Sequence, residues 1–125
     1  MSMTFSTDLS AVRALVHHQA RDAGLSESRA IDLVLAVSEV AANTVRHAGG
    51  PGTLDIWLDG GEIICQVRDK GVITDQLAGQ RQPARDAMGG HGLWLVNQVC
   101  DTVELDSGPD GTTIRLHMKL PDCTA

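Results

Sequence analysis

Apolar residues recur along the chain in two different rhythms, and the change between them divides it. From residue 8 to 24, and again from 26 to 48, hydrophobic positions return at spacings of three and four, the period of a helix with one buried face. Leu9, Val12, Leu15, Val16 and Ala20 make the first stripe, with Asp8 expected as its N-cap and Gly24 as its closing residue. Leu33, Val34, Val37, Val40, Ala41 and Val45 make the second. Ser26 is expected to cap that helix, with Glu27 in the first turn, where the dipole favours a negative charge. Gly49-Gly50-Pro51-Gly52 then stops it.

Beyond that stop the period becomes two. Leu54, Ile56 and Leu58 alternate with Asp55, Trp57 and Asp59, Asp59-Gly60-Gly61 marks a tight turn, and Ile63, Cys65 and Val67 return as a second strand. Asp69 keeps their phase, so its carboxylate points toward the buried face and requires either an ion-pair partner or a ligand. Residues 70–91 have no period and hold Gly71, Gly79, Pro83, Gly89 and Gly90, a length that marks a lid or binding loop. Gly90-His91-Gly92-Leu93 turns that loop into a helix running to about Asp101, an arrangement that lets backbone N–H groups approach an anion. A final hairpin carries Val103 and Leu105 outward and Thr112, Ile114, Leu116 and Met118 back, with Thr113, Arg115 and His117 on the opposite face. Thr112 is the one hydroxyl in the apolar phase; it bonds locally or reaches the same pocket as Asp69. Residues 121–125 read as a frayed tail.

The second helix carries one more pattern. Glu39, Asn43 and His47 stand at i, i+4 and i+8, which stacks a carboxylate, an amide and an imidazole along one line. Small residues flank them: Ala36, Ser38 and Ala42. Two readings are open, a solvated helix face and a surface shaped for a polar ligand.

Composition narrows the classes. With 125 residues the chain is read as one domain, 1–125, able to bury a core without disulfides or metals. A formal charge of −6 argues against general nucleic-acid or anionic-membrane binding, which need a clustered basic face. Three cysteines without CxxC spacing read as reduced thiols. With no long apolar run and no signal-like N-terminus, the expected location is the cytoplasm. Trp94 is expected in the core, and Trp57 on the sheet face opposite Leu54 and Ile56, where it is a candidate for an interface.

Glu39-x-x-x-Asn43, Asp69-x-Gly71, Gly90-x-Gly92-Leu93-x-x-Val96 and Gly111-Thr112-Thr113 occur in this order. Together they resemble the N, G1 and G2 boxes of the GHKL ATPase/kinase superfamily. The wording Ser38-Glu39-x-x-x-Asn43-x-x-x-His47-Ala48 is similar to the anti-sigma-factor serine kinases of the RsbW/SpoIIAB type. The likeness runs from about Asp8 to Leu120. It implies a Bergerat-type α/β two-layer sandwich, with a mostly antiparallel sheet covered on one face by helices and an ATP lid at 70–91.

The resemblance also implies roles. Asn43 would ligate Mg²⁺ beside bound ATP or ADP, Glu39 would act as general base, and Asp69 would accept from the adenine amino group. Gly71 would let the base approach, Thr112 would support the adenine side, and Gly90, His91, Gly92 and Leu93 would form the phosphate loop. His47 orders the Asn43 end or caps the last helical carbonyls. Arg81 and Arg85 neutralise phosphate or are solvated loop charges. Arg13, on the exposed side of the first helix, matches a partner-contacting region of these families or is an ordinary surface arginine. The implied partners are a sigma factor and a STAS-domain antagonist phosphorylated on serine, and homodimers are common in such families. One departure stands out: Ile73 occupies the place of the second glycine in the G1 box. It keeps open an alternative in which nucleotide binds as a switching ligand with weak or no phosphotransfer. A detached histidine-kinase catalytic domain is the third reading.

Overall fold

The computed structural model describes residues 1–6, 8–48, 51–69, 96, 98–108 and 111–121. In chain order these form β1 (Ser2–Phe5), α1 (Ser10–Asp22), α2 (Glu27–Ala48), β2 (Gly52–Asp59), β3 (Glu62–Asp69), β4 (Thr102–Gly108) and β5 (Gly111–Lys119). The strands make one five-stranded sheet in the order β1-β2-β3-β5-β4, and every pairing is antiparallel. Both helices cover one face of it, so the expected two-layer sandwich is the fold.

Local chemistry sets the helix ends. Leu25 N–H donates to Ala20 O at 3.1 Å and Gly24 N–H to Arg21 O at 3.0 Å, the paired bonds of a Schellman motif. That motif needs a left-handed residue, and Gly24 supplies it with φ +108°. Ser26 caps α2 as expected, its Oγ accepting from Arg29 N–H at 3.2 Å. Asp8 does not cap α1. Leu9 occupies the N-cap without a side-chain bond, while Asp8 stands one residue outside and accepts from Ser10 N–H at 3.0 Å. The turn after β2 places Gly60 at φ +58° and Gly61 at φ +80°, which suits a two-residue hairpin.

The strand phase reads directly as burial. Ile114, Leu116 and Met118 alternate with half-buried Thr113, Arg115 and His117 along β5. Their buried set joins Leu54, Ile56, Ile63, Cys65 and Val67 with Val12, Val16, Leu33, Val37, Val40 and Ala41 in one core. Leu58 departs from its pattern at 58% exposure, because it lies at the end of β2. Val96, Gln98 and Val99 have helical backbone before β4, consistent with the helix read into that region.

β1 was not legible from the sequence. It is an edge strand in register with the start of β2, Phe5 opposite Gly52. The Met1 amino group donates to Ile56 O at 2.8 Å, and Ile56 N–H returns to Met1 O at 2.8 Å. Phe5 is buried against the core.

The sheet's other face has no helix among the described residues and is closed by its own side chains. The Arg115 guanidinium lies 5.7 Å from the Trp57 ring centroid. Arg115 also donates to Gln66 Oε1 at 2.7 Å and to Glu104 Oε2 at 3.2 Å. His117 presents Nδ1 to Glu62 at 3.2 Å and Nε2 to Glu104 at 3.1 Å. The His117 bond holds the Glu104 carboxyl below its usual range. Ile64, between Trp57 and His117 in register, is buried beneath this layer.

Two predictions follow from the β1 edge. A Cβ at Gly52 would come 2.5 Å from Phe5 Cζ and 3.0 Å from Thr44 Cγ2. Gly52→Ala is therefore expected to destabilise the protein by about 1–3 kcal/mol in urea unfolding. The Asp55 carboxyl is held below its ordinary range first by a hydrogen bond from Ser2 and further by Arg68, against the opposing effect of burial. Its stabilisation is thus present above the unfolded-state pKa and lost as pH falls through the lower folded value. Amide-exchange protection across Ser2–Phe5 should decline on acidification below about pH 4, and Asp55→Ala should flatten that dependence.

Candidate functional site

The strands terminate together at one end of the sheet, where β2 and β5 start and the central strand β3 finishes. Asp69, the last residue of β3, is opposite Thr112 of β5 in register. Their pairing follows from the strand phase that places both on the helix-covered face. Thr112 is 2% exposed; Asp69 is half-buried.

α2 supplies the other half. Thr44 Oγ1 donates to Asp69 Oδ2 at 2.9 Å and links the helix directly to the strand end. Asn43, the preceding residue, is buried, and its Oδ1 accepts from Arg46 Nη2 one turn along the helix. Glu39 stands one turn earlier on the same line as Asn43 and is half-buried. The polar line of α2 is therefore sunk into the structure at Asn43, where a solvated helix face would leave that residue exposed.

Of the residues singled out in the sequence, the fold brings Asp69 and Thr112 together by register and places Glu39 and Asn43 on the helix joined to them. The backbone of His47 completes the last turn of α2, and its side chain lies outside the described residues. Gly71, Gly90, His91, Gly92 and Leu93 also lie outside them, as do Ile73, Arg81, Arg85, Trp94 and the 70–91 segment. Arg13 is exposed on α1, with Nη1 3.4 Å from Ser38 Oγ, beside the turn of α2 that carries Glu39.

Two participants escaped the sequence reading. Thr44 falls in the apolar phase of α2 with Val37, Val40 and Ala41, so periodicity counts it as core. The available signal was the one that marked Thr112, a hydroxyl where the stripe calls for a hydrocarbon. Arg46 reads as a surface cation until the fold turns it back onto Asn43.

The chemistry on offer is hydrogen bonding and proton transfer by carboxylates. Burial pushes the Cys65 thiol far above its ordinary range and the Cys100 thiol up to about 12, so both stay neutral. Among the described residues no three His, Cys, Asp or Glu side chains converge as a metal centre. A cleft of about 370 Å³ opens on the sheet's other face, lined in part by Arg68, Glu104 and Arg115. Its arginines already face Asp55 and Glu104. Asp69 can accept from a ligand N–H at this end of the sheet, and Asn43 and Glu39 lie further along the helix.

Comparisons with known proteins bear on the fold. Among solved structures, the chain is similar to the RsbU and RsbW domains of Rv1364c from Mycobacterium tuberculosis, with TM-score 0.66 and 23% identity. That match covers 96% of this chain and 32% of the other. It is similar to the histidine kinase domain of a blue-light-activated kinase from Erythrobacter litoralis, with TM-score 0.61 and 19% identity over 90% of this chain and 59% of that one. The mycobacterial sensor histidine kinase MprB aligns with TM-score 0.59 and 19% identity, over 98% of this chain and 100% of that one. The chain thus spans about a third of the first of these structures and under two thirds of the second. At these identities the likeness is one of fold. A search of curated proteins found no match. The family model for the histidine kinase-like ATPase domain matches residues 5–118, nearly the whole chain, and the protein belongs to that family.

Proposed function

We propose that the chain binds Mg·ATP at the Asp69 end of the sheet and acts in partner switching as an anti-sigma factor with serine-kinase activity. The observation that carries this reading is the junction of Asp69, Thr112 and Thr44 beside the Glu39–Asn43 line. It brings two carboxylates, Asp69 and Glu39, onto adjoining elements, which supports reading the first as the base-recognising group and the second as the proton acceptor. Asp69 would accept from the adenine amino group, with Thr112 as its neighbour and Gly71 allowing close approach. Gly90, His91, Gly92 and Leu93 would bind phosphate through backbone N–H groups at a helix start.

Asn43 fits a magnesium ligand by its chemistry, since its amide oxygen is a hard donor; that oxygen accepts from Arg46, which would turn aside for the ion to be held. Bound Mg²⁺ supplies neutralisation of phosphate charge. Glu39 would take the proton of an attacking serine hydroxyl as the serine oxygen bonds to the γ-phosphorus. The bond from that phosphorus to the bridging oxygen breaks, and ADP leaves with the electron pair. The acceptor would be a STAS-domain antagonist, whose affinity falls because phosphate adds about two negative charges. Exposed Arg13 belongs to the surface offered to the sigma factor and the antagonist, and that pairing places the protein in the cytoplasm. Among the described residues no helix is long and apolar enough to cross a membrane.

A second reading, nucleotide binding as a switch without useful transfer, is favoured by Ile73. A β-branched residue resists the backbone angles that a hinge glycine adopts.

With γ-labelled ATP and a STAS-domain partner, the kinase reading expects label on the partner. Glu39→Gln should slow that transfer by about two to four orders of magnitude while leaving nucleotide affinity intact. Transfer unaffected by Glu39→Gln removes Glu39 as base. A rise in Tm with Mg·ATP but no labelled partner favours the switch. No thermal response at millimolar Mg·ATP defeats both readings.

A further inference from the structure

We propose that Thr44 is a positioning residue that fixes the carboxylate plane of Asp69 and thereby sets which nucleobase the site accepts. The inference rests on the reading of Asp69 as the base-recognising group and adds to it a residue outside the sequence motifs.

The χ2 torsion of an aspartate is broad, so a carboxylate at a strand end has no preferred plane of its own. A base-reading acceptor needs one, because an amino donor is distinguished from a carbonyl only where the acceptor oxygen is held in place. Thr44 provides the hold. Its Oγ1 donates to Asp69 Oδ2 at 2.9 Å, across 25 residues of sequence.

Thr44 is itself fixed. It is 4% exposed, and β-branching restricts its χ1 in a helix to two rotamers. Its methyl Cγ2 lies 3.0 Å from where a Cβ on Gly52 would stand, and the Phe5 ring occupies the same space. The missing side chain at Gly52 makes room for that methyl, and β1 closes over it. A threonine in a helix commonly turns its hydroxyl to the carbonyl one turn back. Here the hydroxyl reaches the β3 end. The chain from Phe5 through Gly52 and Thr44 to Asp69 connects the β1 edge to the orientation of one carboxylate. An apolar residue of the same shape would fill the space equally well, so the hydroxyl accounts for the bond to Asp69 and the methyl for the packing.

Isothermal titration of the chain with Mg·ATP and with Mg·inosine triphosphate tests this, since inosine has a carbonyl where adenine has its 6-amino donor and a proton on N1 where adenine has an acceptor. The wild-type chain should prefer ATP. Thr44→Val keeps the shape and removes the donor, and should reduce the ATP-to-inosine-triphosphate affinity ratio about tenfold, the change that one ordinary hydrogen bond supplies. Thr44→Ser restores the donor and should restore the ratio even if it lowers Tm, a recovery that a purely structural role would not give. Thr44→Ala reads the same quantity should the valine variant fold poorly. A wild-type ratio retained in Thr44→Val or Thr44→Ala overturns the role of Thr44 and leaves that of Asp69 standing. A wild-type chain that binds both nucleotides equally overturns the reading of Asp69 and this inference with it.

Discussion

The hydrogen bond from Thr44 to Asp69 joins the two layers where the polar groups of each come together. The helix layer holds Glu39 and Asn43; the strand layer holds Asp69 and Thr112. Packing alone brings the layers together without setting the relative position of their polar groups, because hydrophobic burial is not directional. A buried hydroxyl donating to a carboxylate is directional, and leaving it unmade costs about 1–3 kcal/mol. The core stripe of Leu33, Val37, Val40 and Ala41 brings α2 onto the sheet. The Thr44 bond then ties this part of the helix to the end of β3.

That arrangement depends on an edge easily overlooked. β1 contributes only Ser2–Phe5, yet Phe5 stands over Gly52 beside the Thr44 methyl. The sheet's other face is organised differently, through Arg115, Glu104, Gln66 and His117 bonded to one another above Trp57 and Ile64. Its charges are largely committed to each other.

Much of this was legible from periodicity because burial here follows phase. The switch from a period of 3.6 to one of two separated the helices from the hairpins, and Gly24, Ser26 and Gly60-Gly61 marked ends that the backbone confirms. Asp69 and Thr112 stood out as polar residues in apolar phase, and the register sets them opposite each other. What failed to show has a common cause: it depends on contacts between distant segments. The four residues of β1 do alternate, Ser2 and Thr4 against Met3 and Phe5, but so short a run does not mark a strand by itself, and its pairing is with residues about fifty positions away that begin at Gly52. Thr44 hides in a core stripe because its methyl does serve the core. Asp8 missed the capping position by one residue, a shift that composition does not resolve.

The central claim is that Asp69 recognises a nucleotide base at this end of the sheet, and the most direct measurement is ATP affinity in Asp69→Asn. That change is nearly isosteric, replaces one accepting oxygen by an amino donor and leaves the strand pairing in place. The account predicts that Mg·ATP binding weakens at least about tenfold, while circular dichroism of the nucleotide-free variant matches the wild type. An Asp69→Asn variant that binds Mg·ATP as tightly as the wild type would contradict it.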